Sequence, residues 1–299
     1  MKQELNVARF FDGLAGIRAA AVDIKEPLKE IVSIQNCGPV ATILLGRAVA
    51  ASALLASQME EDETVSLYFK GDGPIESLFA EATYDGALRG YTPVPELHLP
   101  VLAGRIDLPI ALGQGNLTVV RAHPKRKQPH RGTVEFVSGE IGDEIAHYLD
   151  QSEQRPAYVS VGVKMNSDFE IISAGGVLVE LMPDAPENVA IQLETNATSS
   201  ESVTEVLAKG TSLEEMMKPY FKGFQMQQAE HNHTLHFHCP CTKDRLIRSM
   251  NLFEENDLEE IVENKEQVSA RCEFCGRHYE LAWTDIKDIK DKRHRTGLH

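Results

Sequence analysis

The spacing of hydrophobic and polar residues divides the chain into segments of different predicted secondary structure. From Val7 to Ala21 hydrophobic residues recur at roughly helical intervals, although Gly13 and Gly16 interrupt the pattern. After Lys25-Glu26-Pro27-Leu28 a second short segment runs to Ile34. A long helix is predicted to open at Pro39, because proline suits the first turn of a helix. The first quarter of the chain is therefore predicted to be helical.

The longest apolar stretch, Val40 to Met59, is rich in alanine but contains Arg47 and several polar residues. A buried helix is therefore predicted rather than a membrane span. Its small side chains indicate close packing against a neighbouring element.

Between Thr64 and Val179 the pattern is typical of strands separated by turns. Asp85-Gly86 is a strong hairpin signal. The predicted strands are Val65–Phe69, Phe79–Tyr84, Ala87–Tyr91, Leu117–Val120, Gly132–Val137, Tyr158–Val163 and Ala174–Leu181. A short helix is predicted from Ile141 to Asp150. Helices combined with mostly antiparallel strands predict an α+β fold.

A proline-rich stretch, Met182 to Pro186, marks a domain exit, after which the chain from Asn188 to Ala229 has helical patterns. Gly210 ends one helix and Ser212 caps the next. Methionine and aromatic residues gather late in this segment, at Met216, Met217, Tyr220, Phe221, Phe224 and Met226. The sequence favours a linker helix packed on its neighbours over an adaptable surface for apolar partners.

The composition excludes several classes of protein. A formal net charge of −15 over 299 residues argues against general binding to nucleic acid or to anionic membranes. The first residues lack the features of a secretory signal, so a cytoplasmic location is expected. In a reducing compartment, clustered cysteines indicate metal or redox chemistry rather than a disulfide framework.

Four of the five cysteines form two short motifs near the C-terminus. Cys239 and Cys241 make a C-x-C motif, and Cys272 and Cys275 make a C-x-x-C motif. Four thiolates are a donor set that binds zinc tetrahedrally. The first motif is one residue shorter than in ordinary zinc ribbons and contains Pro240, whose effect on zinc affinity we do not predict. The tighter spacing suggests a metal site that can be lost as well as made.

The segment around these motifs has little hydrophobic core of its own. A hairpin is predicted around Cys275-Gly276, with helices before and after it. Folding should therefore depend on the metal, which contributes on the order of 10–16 kcal/mol in zinc-finger peptides. Nearby histidines are not expected to be ligands, because four cysteines already complete the site; they are His231, His233, His236, His238 and His278. The fifth cysteine, Cys37, is interpreted as a small buried hydrophobic residue.

Several functions of such a site are disfavoured. Catalytic zinc keeps a coordination position open, and four thiolates leave none. Between His236 and Lys290 there are eight lysines and arginines against twelve acidic residues, which disfavours contact with nucleic-acid phosphates. The C-x-x-C motif leads into a predicted strand rather than a helix, unlike thioredoxin-type motifs. No arrangement of residues typical of an enzyme stands out.

A redox switch follows from the chemistry of thiols. Metal-bound sulfurs are thiolates, which oxidants attack when accessible. Disulfides within each motif, Cys239–Cys241 and Cys272–Cys275, would expel the metal. Bridges that close such short loops restrain the unfolded chain little, so they would not replace the lost folding energy. The alternative is a zinc-ribbon interaction or regulatory protein in which the metal is purely structural.

At these residues the chain resembles the heat shock protein 33 family, also called the 33 kDa chaperonin family, over essentially its whole length. The asymmetric cysteine pattern is highly specific. The supporting motifs are Gly71-Asp72-Gly73-Pro74, Leu88-Arg89-Gly90, Ala174-Gly175-Gly176 and Met182-Pro183.

The resemblance implies an N-terminal α+β domain (1–183), a helical linker (184–234) and a C-terminal zinc domain (235–299). It implies an ATP-independent holdase chaperone of the bacterial cytoplasm, inactive when reduced and zinc-bound. Oxidation is expected to release zinc, disorder the C-terminal domain and linker, expose apolar surface for unfolded client proteins and promote homodimer formation. Two surfaces are candidates for client binding: the late linker residues (216–226) and the uncovered face of the N-terminal sheet.

Overall fold

The computed structural model describes residues 6–102, 105–183, 185–230 and 233–296. The chain divides into two compact units, residues 1–238 and 239–299. Segment 184–234 belongs to the first unit, and its expected role as a separate linker stays a prediction. Sheets and helices alternate irregularly along the chain, which confirms the predicted α+β class.

The first unit is built on two sheets. Its strands are β1 (Val7–Asp12), β2 (Ile17–Asp23), β3 (Thr64–Gly71), β4 (Ser77–Thr83), β5 (Ala87–Tyr91), β6 (Val101–Leu102), β7 (Arg105–Ile106), β8 (Gly115–Ala122), β9 (His130–Glu135), β10 (Ala157–Met165), β11 (Ile171–Leu181), β12 (Gln227–Ala229) and β13 (His236–Phe237). Its helices are α1 (Lys25–Gln35), α2 (Pro39–Ala56), α3 (Pro109–Leu112), α4 (Ile141–Glu153), α5 (Glu187–Ser199), α6 (Val203–Ala208) and α7 (Leu213–Met217).

One sheet has five strands in the order β10-β11-β2-β1-β12, and the other has six in the order β13-β5-β4-β3-β8-β9. Neighbouring strands are antiparallel except β13, which pairs with β5 in parallel. The hairpins predicted at Asp85-Gly86 and between β8 and β9 are confirmed. The two-residue strands β6 and β7, within the proline-rich connection, were not predicted.

The predicted long helix is confirmed as α2, which contacts strands of both sheets. It meets the length and hydropathy criteria for a membrane span, but 83% of its 18-residue window is buried in the structure. Gly46 shows why its small residues matter. A methyl group there would lie 2.5 Å from the Val163 side chain and 2.6 Å from that of Leu28. The helix is thus the packed centre of the first unit.

The helix predicted from Val7 to Ala21 is wrong, because the segment forms the β1–β2 hairpin. Three alanines favoured the helical interpretation, but they are fully buried in β2 between two neighbouring strands. Gly16 has φ of +69°, a backbone conformation that favours glycine, and it allows the chain to turn between β1 and β2.

The helices of segment 184–234 cover one face of the five-stranded sheet. Ser212 caps α7 as predicted, its hydroxyl accepting a hydrogen bond of 3.2 Å from the Glu215 N–H. The prediction of helix as far as Ala229 is wrong. After α7 the chain turns and forms β12, which pairs antiparallel with β1. The end of the segment therefore completes the sheet.

The second unit contains α8 (Lys243–Ser249), a 3₁₀ turn (Met250–Leu252), α9 (Glu255–Glu263), β14 (Val268–Arg271), β15 (His278–Leu281) and α10 (Trp283–Thr296). The N-cap of α9 is Glu254. The fully enclosed apolar residues of this unit are few: Met250, Leu258, Leu281, Ile286 and Ile289. So small a core agrees with the expectation that the unit needs further stabilisation.

Candidate metal centre

The two cysteine motifs meet in the second unit. The sulfurs of Cys239, Cys241, Cys272 and Cys275 all lie within 4.8 Å of one another. Cys239 Sγ is 3.7 Å from Cys272 Sγ, and Cys241 Sγ is 3.2 Å from Cys275 Sγ. A disulfide requires about 2.05 Å, so neither of these sulfur pairs is covalently bonded.

The donor set and its spacing fit a tetrahedral metal ion. With metal–sulfur bonds of about 2.3 Å, a tetrahedral site separates its sulfurs by about 3.8 Å. The Cys239–Cys272 separation of 3.7 Å is close to that value, and the Cys241–Cys275 separation of 3.2 Å is shorter. Tetrahedral all-sulfur sites hold zinc or iron. The four cysteines could therefore hold one such ion.

Local backbone structure explains how the second motif is presented. Strands β14 and β15 form an antiparallel hairpin in which Arg271 pairs with His278. The Gly276 N–H donates to the Cys272 carbonyl at 2.9 Å, and Gly276 has φ of +66°, which favours glycine. The predicted hairpin is thus confirmed, with both cysteines in its turn.

The first motif lies immediately before α8. The Thr242 hydroxyl accepts a hydrogen bond of 3.2 Å from the Arg245 N–H and so caps that helix. Arg245 in turn donates to the Pro240 carbonyl at 3.2 Å. These contacts fix the backbone on both sides of Cys241.

The hydroxyl of Tyr279, on β15, lies 3.0 Å from Cys241 Sγ and 2.9 Å from the Cys241 carbonyl. Sequence reasoning missed this residue. The only available signal was the alternation of β15, which places Tyr279 on the same face as the buried Leu281. The β14–β15 hairpin, which carries the second motif, therefore brings a hydrogen-bond donor to a sulfur of the first motif.

The thiols of the cluster differ in acidity. Burial alone would raise the pKa of Cys241, but hydrogen bonds from Tyr279 and from the other cysteines lower it to about 7. Burial and the neighbouring sulfurs raise the pKa of Cys275 to about 12 and also raise that of Cys239. Four anionic sulfurs this close would repel one another, so a bound cation is required for all to be thiolates together.

No histidine joins the cluster among the residues that the structure describes. His236 and His238 belong to the first unit, where His236 forms part of β13. His278 is exposed on β15, while His231 lies outside the described residues. Cys37 is separate from the cluster and packs against the core of the first unit, where burial raises its pKa to about 12. This packing agrees with the interpretation of Cys37 as a small hydrophobic residue, although it is half-buried rather than fully buried.

A second feature of functional interest is the apolar interface under α5–α7. One side consists of sheet residues, including Phe10, Ile17, Val177 and Val179. The other includes Leu193, Leu213, Met216, Met217, Tyr220 and Phe221 from segment 184–234. The two surfaces that the sequence left as alternatives are therefore opposite sides of one buried interface.

Comparison with known proteins gives consistent results. A family model described as Hsp33 protein matches residues 6–282. A 33 kDa chaperonin of Carboxydothermus hydrogenoformans is 35% identical over 289 residues, covering 94% of this chain and 97% of that protein. One from Agathobacter rectalis is 32% identical over 278 residues, covering 92% and 96%.

The fold also has a solved counterpart. The crystal structure of a 33 kDa chaperonin (heat shock protein 33 homolog) from Thermotoga maritima superposes with a TM-score of 0.83. It covers 98% of this chain and 100% of that one at 24% sequence identity.

Proposed function

This chain belongs to the Hsp33 family of chaperones, and from that premise we propose that it is a redox-regulated, ATP-independent holdase for unfolding proteins. The observation that carries the proposal is the convergence of four cysteine sulfurs within 4.8 Å of one another. They lie in a unit whose own apolar core is small. The state of these sulfurs would therefore determine whether the unit is folded.

In the reduced protein, Cys239, Cys241, Cys272 and Cys275 would hold one zinc ion. Bound zinc would keep all four sulfurs as thiolates and contribute to the folding free energy of the unit. Zinc rather than iron is proposed because it has no redox chemistry of its own. The redox response would then reside entirely in the cysteines.

Oxidation would form two disulfides, Cys239–Cys241 and Cys272–Cys275. Each bridge removes two electrons from a pair of thiolates. With hydrogen peroxide as oxidant, each pair would consume one peroxide and two protons and yield two waters. No thiolate then remains to hold the ion, and each new bridge closes too short a loop to stabilise the fold.

Client binding is proposed to use the interface between α5–α7 and the five-stranded sheet. In the reduced protein each side of the interface covers the other. Should the helices leave the sheet once the second unit unfolds, both apolar surfaces would be uncovered at once. The methionines would suit varied clients because their side chains are flexible and polarizable.

The remaining properties are proposed from the family and the charge. The chain would act in the cytoplasm and form a homodimer when oxidised, without ATP or nucleic acid. A net charge of −15 agrees with the absence of a nucleic-acid partner. We propose no enzymatic activity.

Zinc release measured together with client aggregation tests the proposal. The purified reduced protein should contain one zinc per chain and leave a thermally unfolding client free to aggregate. Peroxide with mild heating should release the zinc and make the same protein suppress aggregation. Equal suppression by the zinc-loaded form would refute the switch. Retained zinc with no gain of client binding would instead indicate a purely structural metal.

A further inference from the structure

In each cysteine motif one cysteine receives a hydrogen bond from the backbone N–H two residues further along the chain. In the C-x-x-C motif the backbone N–H of Arg277 donates a hydrogen bond to Cys275. In the C-x-C motif the Cys241 N–H likewise bonds to Cys239. Cys241 is the last residue of its motif and is followed by the cap of α8. Apart from the other cysteines, Tyr279 is the described residue that donates a hydrogen bond to the Cys241 sulfur.

The Tyr279 hydroxyl contacts two atoms of Cys241. It is 3.0 Å from Cys241 Sγ and 2.9 Å from the Cys241 carbonyl oxygen. Holding the backbone and the side chain of Cys241 together fixes the direction in which its sulfur points. Arg277 Nη1 lies 3.5 Å from the Tyr279 hydroxyl oxygen and donates to it, which favours the hydroxyl as a donor towards the sulfur.

We propose that Tyr279 is a positioning residue that orients Cys241 and limits its reaction with oxidants. The proposal rests on the redox function proposed above and concerns the threshold of that switch. The hydroxyl supplies Cys241 with a hydrogen bond of the kind that backbone N–H groups supply to Cys239 and Cys275. Oxidation of the cluster would then be faster when this hydrogen bond is broken or displaced.

The chemistry of the first step shows why the bond matters. The Cys241 thiolate would attack one oxygen of peroxide with a sulfur lone pair, forming a sulfenic acid while the second oxygen leaves and takes up a proton as water. The Cys239 thiolate would then attack that sulfur, forming the disulfide and releasing the sulfenic oxygen as a second water after protonation. A donated hydrogen bond withdraws electron density from the attacking lone pair and therefore slows the first step.

Tyr279→Phe removes the hydroxyl and keeps the ring, so it separates hydrogen bonding from packing. The zinc-loaded variant and the wild type would be pulse-labelled with iodoacetamide, and labelling would be read at each cysteine by mass spectrometry. We expect labelling of Cys241 to be about tenfold faster in the variant. Zinc transfer to a chromophoric chelator should also be about tenfold or more faster. Tyr68→Phe, which removes a tyrosine hydroxyl from the first unit, is the matched control.

Unchanged labelling of Cys241, or equal acceleration at all four cysteines, would overturn the proposal. Equal acceleration would mean that Tyr279 only supports the fold of the unit. Should the Phe variant fail to fold, 3-fluorotyrosine in place of Tyr279 strengthens the donor and should slow labelling of Cys241. Failure of the wild type to hold zinc would instead contradict the proposed function. The labelling comparison on reduced, zinc-free protein, made at the pH-independent plateau where Cys241 is fully a thiolate, would still test Tyr279.

Discussion

The carboxylate of Asp12 accepts a hydrogen bond of 2.7 Å from the backbone N–H of Gln225, although 213 positions separate the two residues. Its other oxygen accepts two backbone hydrogen bonds from the turn that follows β1. Arg9, on the same strand, donates to the Glu230 carbonyl at 2.7 Å. Two side chains of β1 thus hold both ends of residues 225–230, here called the strap, which contains β12.

Asp12→Asn should loosen the strap. An asparagine can keep its oxygen towards the turn, but its NH₂ group then faces the Gln225 N–H and that bond is lost. A hydrogen bond to a charged group contributes roughly 1.5–3 kcal/mol, so amide exchange in the strap should be at least about tenfold faster. Hydrogen–deuterium exchange with mass spectrometry would measure it. Asp150→Asn, at an exposed position on α4, is the control. Unchanged exchange in the strap would show that β12 is held by its backbone ladder alone.

The same contact predicts a pH dependence. Burial would raise the pKa of Asp12, but hydrogen bonds from three backbone N–H groups outweigh it and hold the pKa below its ordinary value. The stabilisation is therefore fully present above the unfolded pKa of about 3.9 and is lost as pH falls through the lower folded value. Strap exchange, corrected for the intrinsic rate, should be constant from about pH 5 to 8 and rise in more acidic solution. Asp12→Asn should remove the acid-dependent rise that Asp12 causes.

The sequence was most informative where the chemistry depends on short spacings. The two cysteine motifs and Gly276 predicted the cysteine cluster and its hairpin, because each motif consists of only a few adjacent residues. The strap could not be predicted, since Gln227 and Gln228 have no strand preference and β12 exists only because β1 offers an edge. Tyr279 was missed for a related reason. Its contact with Cys241 joins residues 38 positions apart through the register of a hairpin.

Met217→Ala should weaken the cover over the five-stranded sheet. Met217 is fully buried in the interface between α7 and the sheet. Truncation of a buried methionine costs roughly 2–5 kcal/mol. The reduced variant should therefore suppress client aggregation partly without oxidation, while still binding zinc.

The control for that experiment is Met182→Ala, since Met182 is 39% exposed. Client aggregation followed by light scattering, with zinc content measured in parallel, would compare the two variants. A Met217→Ala protein that stays inactive when reduced, yet is destabilised to chemical denaturant, would argue against this interface as the client-binding surface.

Cys37 provides an internal reference for the redox chemistry. Its thiol is packed against the core of the first unit, and burial raises its pKa to about 12, so it should resist oxidation. Thiol titration under denaturing conditions should find five thiols per reduced chain and one after full oxidation. Cys37→Ser should lower both values by one and leave zinc release unchanged. Loss of the fifth thiol at the same rate as the others would contradict the assignment of Cys37 as a packing residue.

The disulfide pairing would show whether oxidation precedes or follows unfolding of the second unit. In the folded cluster, sulfurs of different motifs approach within 3.7 and 3.2 Å, so cross-motif bridges are geometrically accessible there. In an unfolded chain, partners within one motif remain close and those of different motifs separate. We expect within-motif bridges, because the first bridge should already weaken the fold. Cleavage after Lys243, Arg271 and Arg277 places each motif on its own peptide. Two separate peptides, each lighter by two hydrogens, would show that the motifs separated before the bridges were complete. Two peptides linked by a disulfide would mean that the cluster oxidises while folded.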